Sequence, residues 1–595
     1  MPIYSIILFL KRPFMYQHKH EKSRRIRAMI SVRFRNCAGT GMCLLKKQSG
    51  AKTSIAIALL VLALYFGVGV FDHSIWSPTE PAVSGVVWSM FGQDSLAAPR
   101  INGYPYLEKP PLYYWLAWIA CKAGGGLSAG GMRLPAAVSG VLCLLLVYWT
   151  SRNHYGNGVA CVTLLLGATT YQLYQMSHLA SADILVVFFV FLCFTLFAGT
   201  LTHRAKDPDK GTFRYDLLLA LALSISFYAK NFFTYLLVLP PIVLFLLVKR
   251  QFFRLITITA MVTALTAMIL LPWILALHHE GGWEYLRVVF VDNTLGRFLT
   301  ISDVDRPPLG PLNDAYIVEK EASPFFYLPR LLGLPAPWSL LFFGSLLAVF
   351  RKKGPGDFRL FLKAALISIV VVLSLSSSKS SNYLHPILFV MLLIMSDSLC
   401  DLFRDPGAAP SWQRALYLAN IFLVGLALAA LPFAMWFMLG SIVYFIVLLP
   451  FPFLLAAFIL HGKRRWFEWR FLCGFGAIFA IAFMITLKLL LPYLEERKSY
   501  SFFFQEIREE AAGRELYTLF LDDRRLPLIT YYLDRRIPVI TNMERIFKML
   551  ESKDRIGCIL PPDVYHTWKD RFDEIPHIFH TASKGKPSFA FVGNR

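Results

Sequence analysis

Glu108 and Lys109 stand side by side, directly before Pro110 and Pro111, inside the stretch Tyr104–Trp118, YPYLEKPPLYYWLAW. Two opposite charges at the mouth of an apolar, aromatic segment are costly in or beside a bilayer, and such residues typically face a cavity and carry a function. A lysine there can neutralise an anion, and carboxylates nearby can orient or deprotonate a hydroxyl. The blander reading of the same residues is an interfacial anchor, with Tyr113, Tyr114 and Trp115 at headgroup level.

The rest of the chain sets the medium. Of 595 residues, 56% are hydrophobic and only 16% charged, with a mean hydropathy of +0.52. A soluble domain has roughly a quarter of its residues charged. The apolar residues come in long blocks, which defines a polytopic membrane protein. The net charge of +22 sits in short loops between those blocks, the pattern of cytoplasmic loops and not of a nucleic-acid surface. Nine cysteines are scattered without CxxC spacing, so neither a zinc site nor a disulfide framework is expected.

Residues 1–50 carry eleven Lys/Arg against one acid, Glu21, and are expected to form a basic cytoplasmic tail. Thirteen apolar blocks follow, near 53–71, 132–150, 158–177, 182–201, 215–229, 231–248, 254–277, 325–350, 359–376, 382–399, 414–437, 440–460 and 470–492. Each approaches the ~20 residues a bilayer needs. Residues 110–124 are short, open on two prolines and close on glycines, and are expected to lie as a juxtamembrane or re-entrant helix. With that choice Arg152, His203-Arg204-Lys206-Lys210-Arg214, Lys249-Arg250-Arg254, Arg351-Lys352-Lys353, Arg404 and Lys463-Arg464-Arg465 all fall inside, as the positive-inside rule requires. The transmembrane domain is thus expected over 51–493, with outer-face loops 72–131 and 278–324. After about 493 the charge rises and strand and helix patterns alternate, which predicts a small extracytoplasmic α/β domain over 494–595.

This topology gathers polar residues at one face of the membrane: Glu80, Glu108, Lys109, Arg133, Asp183, Lys230, Asn293, Arg297, Lys379 and Tyr383 among them. Each has a structural alternative. Glu80 can be an acid at a helix N-terminus. Asp183 can cap the block it opens, with Ser181 nearby. Lys230 can mark a tight hairpin between two blocks, with Asn231 tolerant of left-handed backbone. His278, His279 and Glu280 are adjacent in a loop, a poor chelate without further ligands, and no metal is expected.

The motif Leu107-Glu108-Lys109-Pro110-Pro111 with Tyr114-Trp115 resembles the Glu-Lys-Pro signature of membrane glycosyltransferases that use polyprenyl-phosphate sugars, the family of lipid A aminoarabinose transferases and protein O-mannosyltransferases. Several elements in order strengthen the resemblance. They are Asp183, Lys230-Asn231, Pro272-Trp273, Asn293 with Arg297-Phe298, Ser323-Pro324 to Trp338, and Ser378-Lys379 to Tyr383 and Pro386. The family carries an acidic pair in the first outer loop, where this chain has Thr79-Glu80.

The resemblance implies a GT-C fold: an all-α polytopic membrane protein of about thirteen transmembrane helices with the small C-terminal α/β domain. It also implies transfer of a sugar from a polyprenyl-phosphate carrier to lipid A, another envelope glycan or protein at the outer face of a bacterial inner membrane, with inversion and without cofactor. Lys109, Lys230, Arg297 and Lys379 would hold the lipid phosphate, with Glu108 and Tyr383 beside the sugar. Glu80 and Asp183 would be the catalytic carboxylates on the acceptor side. Membrane lipids are the expected surroundings and nucleic acid is not a partner. The rival reading is a lipid-linked sugar transporter without chemistry. Such transporters show repeated halves with broken helices and midplane sites; here no repeat is evident and the polar residues cluster at one face.

Overall fold

The computed structural model describes residues 50–206, 211–296, 323–352, 356–376, 379–462, 465–520, 522–552, 554–582 and 589–594. The expected basic tail, residues 1–49, and Arg297 lie outside the described residues.

In hydrocarbon every backbone N–H and C=O must be satisfied within the segment, so apolar blocks fold as helices. Among the described residues eight helices are long and apolar enough to cross a membrane, including Ala129–Tyr155, Asp183–Thr202, Asp357–Leu375, Ser411–Leu439 and Trp469–Lys498. Other blocks of the expected set are shorter or divided. Residues 158–177 break at Thr169 and Thr170 into Asn157–Ala168 and Tyr171–Ser177. Residues 325–350 break between Tyr327–Gly333 and Ser339–Arg351, around Pro335 and Pro337. The helix opening at Phe252 runs past the expected loop start at 278 and kinks only at Gly282, whose φ of 62° suits a residue without Cβ.

The centre of the bundle is the Leu388–Arg404 helix, whose side chains are buried from Leu388 to Cys400. It carries Asp397, 1% exposed, which pairs with Lys352 at 2.9 Å and Arg359 at 2.8 Å. The Ser411–Leu439 helix lies at the periphery and turns Phe422, Phe433 and Phe437 outward, as a lipid-facing surface demands. Charge pairs mark one end of the bundle: Arg254 with Asp216 at 2.6 Å, Lys249 with Asp357, and the Asp397 group. Lys230 closes the helix that Asp216 opens, so it stands at the opposite end.

At that opposite end the segment after the first helix folds back as the Pro81–Phe91 helix, a hairpin of β1 (Arg100–Ile101) and β2 (Tyr104–Pro105), and the Leu112–Ala123 helix. Twelve residues make the last about 18 Å long, short of a bilayer.

The C-terminal region forms the expected α/β unit, with β3 (Glu515–Thr518), β4 (Ile556–Leu560), β5 (His577–Thr581) and β6 (Ala590–Asn594) in the order β3-β4-β6-β5. β3 and β4 are parallel; the other pairs are antiparallel. Val539 adds one isolated bridge, to Thr518. The unit docks on the membrane domain through its Leu526–Leu533 helix, where Pro527 lies against Gly85 so closely that a Cβ there would fall 2.7 Å from it. Asn102 completes the dock: its side chain donates to the Ile537 carbonyl at 2.8 Å and accepts from the Ile537 amide at 2.9 Å. Asn102→Ala strands both buried backbone groups, at about 1–3 kcal/mol each. The expected outcome is faster limited proteolysis within 500–595 and a lower unfolding temperature of that domain, with the membrane bundle intact.

Candidate functional site

The loop Tyr106–Pro111 is fixed from both flanks. The Tyr106 amide donates to the Pro99 carbonyl at 2.7 Å, tying the loop to the hairpin. Asn293, in the π-helix Val288–Gly296, donates to the Leu107 carbonyl at 2.8 Å. The Tyr106 ring is buried, and its hydroxyl reaches Glu108. Lys109 is half-buried. The Glu108 carboxylate raises its ammonium value against the opposing effect of burial; Asp183 adds to the rise and Lys230 opposes it. Lys109 therefore stands charged, within electrostatic reach of Asp183 and Lys230.

Asp183 opens its helix, and its amide donates to Ser181 Oγ at 3.3 Å, so the capping role weighed from sequence is Ser181's. The carboxylate accepts from Lys230 Nζ at 2.6 Å, with both side chains about one-sixth exposed. Asn382 approaches its other oxygen at 3.5 Å. Lys230 is presented by the tight turn its position suggests: Asn231 has a φ of 48°. Its ammonium lies 4.8 Å from the Tyr383 ring centre and 5.2 Å from that of Phe233, two cation–π contacts that orient it. Lys109, Glu108, Asp183, Lys230, Asn382 and Tyr383 thus form one group drawn from four separate parts of the chain.

Two other expected site residues are placed differently. Lys379 donates to the Ser376 carbonyl at 2.7 Å, at the end of its own preceding helix. Glu80 is fully buried and accepts four N–H bonds: Arg133 Nε and Nη2 at 2.6 Å each, the Trp76 amide at 2.8 Å and the Ala180 amide at 3.0 Å. Burial pushes its carboxyl up, but the Arg133 guanidinium outweighs burial and holds it below the ordinary value. A carboxylate whose lone pairs are all engaged is a poor proton acceptor. Glu80 braces the outer loop through these four bonds. His278, read as part of an unlikely chelate, lies edge-on to Trp283, and Glu280 accepts from Ser95 and approaches Arg100 at 3.7 Å.

The sequence reading missed Asp523. It precedes the docking helix of the C-terminal domain, and its Oδ2 accepts from Tyr106 Oη at 3.3 Å, on the same hydroxyl that serves Glu108. Only the charged tetrad Asp522-Asp523-Arg524-Arg525, between a strand and a helix, signals it in the sequence.

Residues 108–276 match the sequence model of the dolichyl-phosphate-mannose-protein mannosyltransferase family. That stretch holds Glu108, Lys109, Asp183 and Lys230. The undecaprenyl phosphate-alpha-4-amino-4-deoxy-L-arabinose arabinosyl transferase of Pseudomonas aeruginosa strain LESB58 is 26% identical over 64% of this chain and 66% of its own. The protein of the same name from Pseudomonas paraeruginosa is 27% identical, over 64% and 65%. The chain thus covers just under two thirds of these curated relatives. Among solved structures, ArnT from Cupriavidus metallidurans bound to undecaprenyl phosphate superposes with a TM-score of 0.71 at 16% identity, over 92% of this chain and 99% of that one. The GT-C fold and the resemblance to polyprenyl-phosphate-sugar glycosyltransferases are borne out.

Proposed function

We propose that this chain, a multi-pass membrane protein with the fold and sequence relatives of the lipid-donor glycosyltransferases, transfers a sugar from a polyprenyl-phosphate carrier to lipid A or another envelope acceptor. The observation that carries the reading is the convergence of Lys109 and Lys230 on Asp183 at one end of the bundle. The names of the curated relatives support 4-amino-4-deoxy-L-arabinose as the first sugar to test. The placement of basic pairs at the opposite end supports an outer-face site in a bacterial inner membrane, with the C-terminal domain on the same side.

The leaving group is a phosphate on a lipid. It needs positive charge at the membrane surface, where water is scarce and each charge–charge contact is strong. Lys109 supplies it from the loop and Lys230 from the helix end, with Lys379 as a further cation of that face. A largely apolar groove lined by Ile274, Trp283, Glu284, Leu286, Arg287, Phe290 and Val291 lies on the segment that leads to Asn293, which holds Leu107. The acceptor oxygen attacks the anomeric carbon in line, opposite the phosphate, so configuration inverts. The donor is already activated, and no nucleotide enters.

Asp183 in this reading orients Lys230. Asp183→Asn frees the ammonium from its 2.6 Å partner, and misplacement on that scale costs about 10²-fold in rate. Lipid extracts of cells expressing wild type, Asp183→Asn and Lys109→Ala at matched levels test the whole proposal by mass spectrometry. Accumulated glycosylated carrier and loss of one sugar-sized mass from an acceptor support it. Unchanged covalent products with a redistributed carrier transfer the weight to a transporter.

A further inference from the structure

We propose that Asp523, delivered by the C-terminal domain, is the carboxylate that takes the proton from the acceptor. The inference rests on the transferase reading above. It starts from what the other carboxylates of this end are doing. Glu80 accepts four N–H bonds in a buried cage. Asp183 is ion-paired to Lys230. Glu108 accepts the Tyr106 hydroxyl and faces the adjacent Lys109. Asp523 is half-buried; among the described residues it makes no ion pair, and its one hydrogen bond is the long one from Tyr106. It therefore keeps acceptor capacity beside the group that would hold the donor phosphate.

The surroundings suit the task. Burial raises the Asp523 carboxyl above its ordinary value, and the Glu108 charge raises it further; Asp522 adds to the rise, while Lys109 and Arg524 oppose it. Tyr106 and Tyr114 are the neutral groups that face it. A general base works best when its value lies near the operating pH, and two carboxylates pushed apart by their environments divide the roles between them. In the step itself the acceptor O–H bond breaks and its proton passes to Asp523. The acceptor oxygen bonds to the anomeric carbon. The bond from that carbon to the phosphate oxygen breaks, and the electron pair leaves on the polyprenyl phosphate. The docked domain is then part of the catalytic unit.

The test uses membrane vesicles from cells expressing the full chain, whose own carrier lipids and acceptors supply both substrates, with transferred sugar read by mass spectrometry across a pH series. Purified protein is tested in parallel for binding of undecaprenyl phosphate. Asp523→Asn should bind undecaprenyl phosphate as wild type does, yet transfer about 10²-fold or more slowly. Its loss of rate toward acid should flatten, because the group that must be deprotonated is gone. Asp523→Glu should recover most of the rate. Glu108→Gln should move the acid limb of the wild-type profile to lower pH, since one charge that raises Asp523 is removed. Transfer by Asp523→Asn within about threefold of wild type, with Lys109→Ala inactive, overturns the role of Asp523 and leaves the transferase reading standing. Loss of undecaprenyl-phosphate binding in Asp523→Asn also overturns it, in favour of a structural role. If Lys109→Ala matches wild type in every covalent product, the transferase reading fails and this inference with it.

Discussion

Lys109→Ala should abolish measurable transfer, a loss on the order of 10²–10³-fold or more, while the protein folds and inserts normally. The lysine is half-buried in a loop held by backbone bonds that do not involve its side chain, so its removal leaves the scaffold in place. On the proposed reading, what is lost is the cation at the point where the phosphate would gather charge. Lys109→Arg should restore little. A guanidinium is broader and planar, with its donors in a fixed fork, where an ammonium is a compact point charge. The measurement is carrier-linked sugar and glycosylated acceptor in the same lipid extract: the first should rise as the second disappears. Equal levels in wild type and variant would remove Lys109 from the mechanism.

Glu80→Gln should be the most damaging substitution for stability in the outer loop. Arg133 is fully buried. Besides Glu80 it donates to the Val70, His73 and Ser74 carbonyls, so it stitches the segment after the first helix to the Ala129–Tyr155 helix. Removing one partner of a buried pair leaves an uncompensated charge, at about 3–5 kcal/mol. The double variant Glu80→Gln, Arg133→Met removes both charges and should unfold at a higher temperature than Glu80→Gln alone. The same pair sets a pH dependence. The folded carboxyl lies below its unfolded value, so its contribution is fully present above the unfolded value and fades as pH falls through the folded one. Thermal unfolding of purified protein toward acid should therefore fall more steeply for wild type than for the double variant. Parallel slopes would mean the pair contributes little.

Much of the fold was legible because its causes are local. Uninterrupted apolar blocks must become helices in lipid, and the alternation after 493 marked the small C-terminal α/β unit. Asn231 also announced itself, since few residues other than glycine adopt its φ of 48°. Where the reading departed from the structure, the cause was tertiary. Thr169, Thr170 and the prolines near 335 and 337 divide helices that hydropathy alone runs together. The polar character of His278–Glu280 suggested a loop, but nothing stops the helix before Gly282. Within the candidate site, Glu108, Lys109, Asp183 and Lys230 were legible from charge placed in apolar context. Glu80 was singled out as an acid of the first outer loop, and its burial was not foreseen. Its partner lies 53 positions away, and no spacing rule connects the two. Asp523 is more distant still, 417 positions from Tyr106, in the C-terminal α/β unit.

Reconstitution of the purified chain in liposomes with undecaprenyl-phosphate-linked 4-amino-4-deoxy-L-arabinose, radiolabelled in the sugar, and lipid A tests the central claim most directly. The account predicts that label becomes covalently attached to lipid A, that undecaprenyl phosphate is released in equal amount, and that Lys109→Ala does neither. Label that remains on the carrier and only exchanges leaflets, to the same extent in wild type and variant, would contradict it.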